Sequence, residues 1–193
     1  MKRLRVMLIF LVALGGSWGS ADNADPREPT ANRLGPSPEM ARLLQAFTGD
    51  WSVSESFEIS QSRSGGTRQG VASLKAGPGF SLLEEYKSNG SAGELRFLGV
   101  FWWDPKSGVY RVFTCSNDDG CGLRGTGVWE GDRFVNTWEE RIQAKSVVFK
   151  DSFIDISPTS FTLVSEGVAE GTPIWHVTTK YRRRTEAPSA GHR

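Results

Sequence analysis

The chain lacks an apolar run long enough to cross a bilayer, lacks an excess of charge of either sign, and has little cysteine or histidine. Each shortage excludes something. A membrane-spanning helix needs about twenty apolar residues, and the stretch from Val6 to Leu14 falls well short of that. With 23 basic and 22 acidic residues there is no long-range field to recruit nucleic acid or an anionic surface. Cys115 and Cys121, without neighbouring ligands, make only half a zinc site. No metal and no cofactor are therefore expected. The nucleophile-elbow, zinc-protease and phosphate-loop motifs are absent, and nothing repeats at a solenoid or propeller period.

What is present starts with an export signal. Met1-Lys2-Arg3-Leu4-Arg5 is a charged opening, Val6 to Leu14 a short apolar core, and Gly19 and Ala21 the small residues that a signal peptidase reads. We expect residues 1–21 to be a cleaved signal peptide and the mature protein to be exported, periplasmic or extracellular. Cleavage removes three basic residues and no acids, leaving 20 against 22. Residues 22–36, with Pro26, Pro29 and Pro36, read as a flexible lead-in. Residues 37–184 read as one domain and residues 185–193 as a disordered tail. About 150 ordered residues bury around 70% of their unfolded surface, enough to hold a core without metal.

Ser37-Pro38-Glu39 has the form of a helix start: a serine cap, a proline at the first helical position and an acid in the first turn. Met40, Leu43, Leu44 and Phe47 follow at helical spacing, and Gly49 is expected to stop the helix. From Trp51 the period becomes two, with Trp51, Val53, Phe57 and Ile59 alternating with serines and Glu58. Short segments rich in Val, Phe, Tyr, Trp and Thr then recur between Gly-, Asn-, Asp- and Pro-rich turns. About ten strands joined by tight turns, with no crossover helix, predict an all-β antiparallel barrel with a short helix at its start.

One face of these strands is aromatic. Phe57, Phe113, Trp129, Trp138 and Trp175 fall at alternating positions and are expected inside. Glu55 shares the parity of Trp51 and Phe57, and Glu140 that of Trp138. An inward carboxylate must be paired, solvated in a cavity, or neutral; Arg111 and Arg141 are candidate partners. Glu84-Glu85 and Glu139-Glu140, being adjacent in strands, point to opposite faces and cannot form a dyad. His176 alternates with Trp175 and Val177 and is expected on the outer face. Cys115 and Cys121 flank Asn117-Asp118-Asp119-Gly120. A three-residue loop there would set them opposite each other at disulfide distance, and a two-residue turn would not. Export favours the disulfide.

These features carry a resemblance. The helix running into Gly49-Asp50-Trp51 resembles the opening of the calycin barrels, where a Gly-x-Trp begins the first strand and a helix lies across one barrel end. The chain is similar, more closely, to a lipocalin-like bacterial family known mainly as a domain of unknown function. Leu43 to Trp51, Gly99 to Tyr110 with its Trp103-Asp104, the Gly-x-Gly-x-Trp-x-Gly-Asp run from Gly125, and the closing Lys180-Tyr181-Arg182-Arg183 carry that likeness. It spans roughly Met40 to Arg183 and implies no established catalytic residues. It implies a structural Trp51 at the barrel floor, with Arg182 or Arg183 lying on its indole. Haem-carrying barrels share the Gly-x-Trp opening and use a late-strand histidine, but this chain continues Ser52-Val53-Ser54 where theirs is glycine-rich.

The expected partner is a small apolar or amphipathic molecule, held by Phe57, Glu55, Phe113, Trp129, Trp138, Glu140 and Trp175. A barrel-chamber enzyme with an inward glutamate as acid/base, and a filled barrel serving as a structural module of the cell envelope, are the alternatives. A membrane-spanning barrel is not expected, because the outward positions are rich in serine, threonine and charge.

Overall fold

A computed structural model describes residues 35–58, 65–91, 93–142 and 144–185. The expected signal peptide, nearly all of the expected lead-in and most of the expected tail lie outside these residues. Within them the chain forms one α-helix, α1 (Pro38–Phe47), followed by ten strands: β1 (Gly49–Phe57), β2 (Gly66–Ala76), β3 (Leu82–Gly90), β4 (Leu95–Asp104), β5 (Val109–Ser116), β6 (Gly120–Glu130), β7 (Arg133–Ile142), β8 (Lys145–Ile154), β9 (Ser160–Ala169) and β10 (Thr172–Arg183). Each strand pairs antiparallel with its sequence neighbours, and β1 pairs with β10, so the sheet closes into a barrel. Closure removes both sheet edges. No helix among the described residues is long and apolar enough to cross a membrane.

The helix begins as its residues dictate. Ser37 Oγ accepts from the Met40 N–H at 3.3 Å, and Pro38 occupies the first turn. Its stripe of Met40, Leu43 and Phe47 is buried. The helix stops one residue earlier than glycine capping would place it, at Thr48, whose N–H donates to Leu44 O. Gly49 instead opens β1 under the Arg183 guanidinium, which a Cβ at that position would strike.

This helix plugs one barrel end. Phe47 meets Phe153 and Phe161 edge-on at centroid distances of 5.3 and 5.1 Å, and Trp51 meets Phe161 at 4.9 Å. Phe134, Leu82, Phe101 and Tyr110 complete the plug's bed. The Tyr110 hydroxyl donates to Glu39 O at 2.7 Å, which ties the helix to β5. Arg183, the second of the two arginines expected near Trp51, lies over its indole at 4.4 Å and donates to Thr48 O and Pro158 O. Arg182 pairs with Ser52 on the opposite, exposed face.

The β5–β6 hairpin has a three-residue loop, Asn117 to Asp119, with Ser116 paired to Gly120. Cys115 and Cys121 therefore stand directly opposite, with Cα atoms 4.0 Å apart and their sulfurs in a disulfide. Closing so small a ring stabilises by about 2 kcal/mol through the unfolded chain. Replacing both cysteines by serine should lower the unfolding free energy by about that amount in urea titrations. A change near zero would show that the hairpin holds its shape without the bond.

Candidate functional site

Beyond the plug the interior is hollow. A cavity of about 590 Å³ extends towards the opposite end, whose hairpins include Asn117–Asp119 and Glu170-Gly171. Strand alternation supplies its wall. Phe57 and Trp175 meet edge-on at 6.1 Å, and Trp138 stacks on Phe149 at 5.0 Å with 12° between planes. Tyr86, Phe97 and Tyr181 also line it.

Of the seven residues expected to hold a ligand, Glu55, Phe57, Trp138, Glu140 and Trp175 line this cavity. Two expectations are corrected. Phe113 lies on the outer face, because Tyr110 is drawn in against Trp103 and Phe134, and alternation then sends Val112, Thr114 and Ser116 inward. Trp129 does point inward, but into the plug. It stacks on Phe47 at 6.1 Å beneath the Arg42 guanidinium at 3.9 Å, so the helix covers it.

The two glutamates expected to face inward, Glu55 and Glu140, are ion-paired, though with neither Arg111 nor Arg141. Arg68 reaches Glu55 at 2.8 Å, both nearly buried, and the Tyr86 hydroxyl donates to the other carboxylate oxygen at 2.6 Å. Glu140 accepts from Arg124 at 2.8 Å. Arg124 owes its inward aim to a bulge: Arg111 pairs with Thr126 but Phe113 with Leu123, so β6 carries an extra residue there. Gly125 makes the bulge feasible, with φ of +73° and no room for a Cβ, which would strike the Thr137 carbonyl. Arg111 instead bonds Asp104 on the outer face.

Two acids not among the expected site residues also line the cavity, Glu84 and Asp151. Glu84 is buried on β3 between Leu82 and Tyr86, and accepts from the Tyr181 hydroxyl at 3.1 Å. Burial pushes its pKa up to about 7, Tyr181 pulls it partly back, and Asp151 across the interior raises it further. Asp151, between Phe149 and Phe153 on β8, is likewise raised by burial, to about 6, with Ser165 opposing. The surface Asp151 retains faces the cavity. Tyr181 itself is held well above its ordinary value by burial and by the neighbouring Glu84. Both acids share parity with inward aromatics, the signal that could have found them. Glu85, next to Glu84, faces out to Lys75 at 2.7 Å.

His176 is on the outer face opposite Glu166, 3.8 Å from that carboxylate, and does not reach the cavity. No group of three or more metal-ligating side chains occurs among the described residues.

Fold and cavity together define a class: a closed ten-strand antiparallel barrel, plugged at one end by a helix and hollow beyond it. No family model matches the chain, and no curated protein matches it in sequence. The particular lipocalin-like family suggested by the sequence motifs is thus not established. Among solved structures, the S-type phycobiliprotein lyase CPES from Guillardia theta superposes with a TM-score of 0.56 at 8% identity, over 76% of this chain and 93% of that one. Rv2717c from M. tuberculosis superposes at 0.45 with 14% identity, over 78% of this chain and all of that one (100%). A redesigned β barrel, mFAP0, solved bound to DFHBI, superposes at 0.42 with 16% identity, over 72% and 100%. The first superposes closely enough to speak to the fold, and at that identity to the fold alone.

Proposed function

We propose that this is an exported binding protein that takes a small apolar or amphipathic molecule into its barrel. In this reading residues 1–21 are the removed export signal and residues 37–184 the binding domain. The observation that carries it is the cavity. Its volume of about 590 Å³ falls inside the range of small-molecule sites, about 300–1,000 Å³. Its walls combine aromatic faces with a few fixed polar groups, the composition that holds and orients a ligand. A filled structural barrel would have no need of that space. Glu55 and Glu140, the expected acid/base candidates, are each held by a guanidinium, which favours binding over a reaction centred on them.

Trp138 and Trp175 are native reporters of occupancy. Titrating the protein with a panel of fatty acids, lysolipids, aromatic alcohols and haem should shift or quench tryptophan emission for at least one class. Trp175→Phe and Trp138→Phe should each remove part of that signal. Native mass spectrometry of freshly purified protein provides the second readout. No co-purified mass, together with no spectral change across the panel, would overturn the proposal.

A further inference from the structure

Resting on that reading, we propose that the bound molecule carries a protonated amine, which seats in the deep half of the cavity between Glu84 and Asp151, with the Asn136 carbonyl as a further acceptor. The argument starts from charge pairing. Arg68 is committed to Glu55 and Arg124 to Glu140 and Asp119. Among the described residues neither Glu84 nor Asp151 has an ion-pair partner, yet both line the same apolar-walled space. Carboxylates so placed are stabilised by a cation, and no side chain described in the cavity supplies a spare one.

The ladder places a second, independent acceptor beside them. Asn136 on β7 pairs directly with Asp151 on β8, so their inward side chains are neighbours. Asn136 is 2% exposed and lines the cavity, and its Oδ1 has no hydrogen-bond partner. A buried acceptor left unmade costs about 1–3 kcal/mol, and is satisfied by a donor arriving from the cavity. An ammonium has three donors and no acceptor, which matches the acceptors gathered at this level, the two carboxylates and the Asn136 Oδ1; the unpartnered Trp138 indole N–H lies one layer nearer the mouth. One layer nearer the mouth, the Trp138–Phe149 stack offers π faces, which favour a cation and suit an aromatic or apolar body. An anionic ligand head would face like charge there and a neutral one would leave the acids uncompensated.

The test compares three probes of one skeleton: naphthylmethylamine, naphthylmethanol and naphthoate, measured by calorimetry on the whole protein at mildly alkaline pH. The amine should bind at least about tenfold tighter than the alcohol, with the carboxylate weakest. Glu84→Gln combined with Asp151→Asn should abolish the preference for the amine over the alcohol. Both replacements are isosteric and remove buried charge, so folding should survive them. Glu85→Gln, on the outer face beside Glu84, should leave all three affinities unchanged. Alcohol or carboxylate binding as tightly as the amine overturns this inference while leaving a binding barrel intact. Failure of all three probes to bind also overturns it, and silence of the wider panel overturns the binding reading beneath it.

Discussion

Arg68→Met should destabilise the protein by about 3–5 kcal/mol, the largest effect we expect from any single polar substitution. Arg68 and Glu55 meet at 2.8 Å with side-chain exposures of 7% and 6%. Removing the guanidinium strands a carboxylate in a wall shared with Phe57 and Tyr86, with the Tyr86 hydroxyl as its remaining hydrogen-bond donor among the described contacts. The loss is the cost of that uncompensated charge and not the worth of the pair. The double variant Arg68→Met with Glu55→Gln should therefore recover most of it, since the amide needs no counter-ion and can still accept from Tyr86. Urea unfolding of wild type, both single variants and the double variant gives the coupling directly. A loss below about 1 kcal/mol for Arg68→Met would mean that the cavity solvates Glu55 well enough to make the pair dispensable.

The second large effect is in pH. Glu84 rises from an ordinary 4.5 to about 7 on folding, and Asp151 from 3.8 to about 6. A carboxyl raised in this way holds its proton in the folded state where the unfolded chain has released it. The stability this contributes is complete below the unfolded value and is lost as pH rises through the folded one. The protein without ligand should therefore become less stable between about pH 4.5 and 7.5, by about 3 kcal/mol from Glu84. Asp151 acts in the same direction but by less, because it shows surface to the cavity. This is opposite to the behaviour of a protein whose acids are mainly salt-bridged. Glu84→Gln should flatten most of the decline, and a wild-type profile that climbs across this window would refute the assignment. A bound cation would reverse the sign for the same two groups, so the pH profile also reports occupancy.

Much of the fold, and part of the site, is legible in the residues themselves. Local chemistry decides the helix start, and Ser37, Pro38 and Glu39 act there as their types require. The alternation of Trp51, Val53, Glu55 and Phe57 is a direct print of the pleat, and it sets Glu55 on the buried face of β1. Glu84 and Asp151 obey the same rule, and were legible in principle through Leu82, Tyr86, Phe149 and Phe153. Three things were not legible. Alternation has two phases, and Phe113 took the outer one because Tyr110, at the plugged end, took the inner. A bulge changes phase within one strand, so nothing in the period marks Arg124 as inward-facing; only Gly125 hints at it. Depth along the barrel axis leaves no trace in a period of two. Trp129 and Trp138 look alike in the chain, yet one is covered by the helix and the other faces open space.

The seam that closes the barrel has a mechanical consequence. β1 begins and β10 ends at the plugged end, and their seven paired rungs run from Trp51–Arg183 to Phe57–Val177. Antiparallel bonds lie across the strands, so tension applied between the two outer ends would load them singly, starting at the Trp51–Arg183 rung. The Arg183 guanidinium, bridging Thr48, Pro158 and the Trp51 ring, sits where that tear would start and acts as the stitch at the end of the seam.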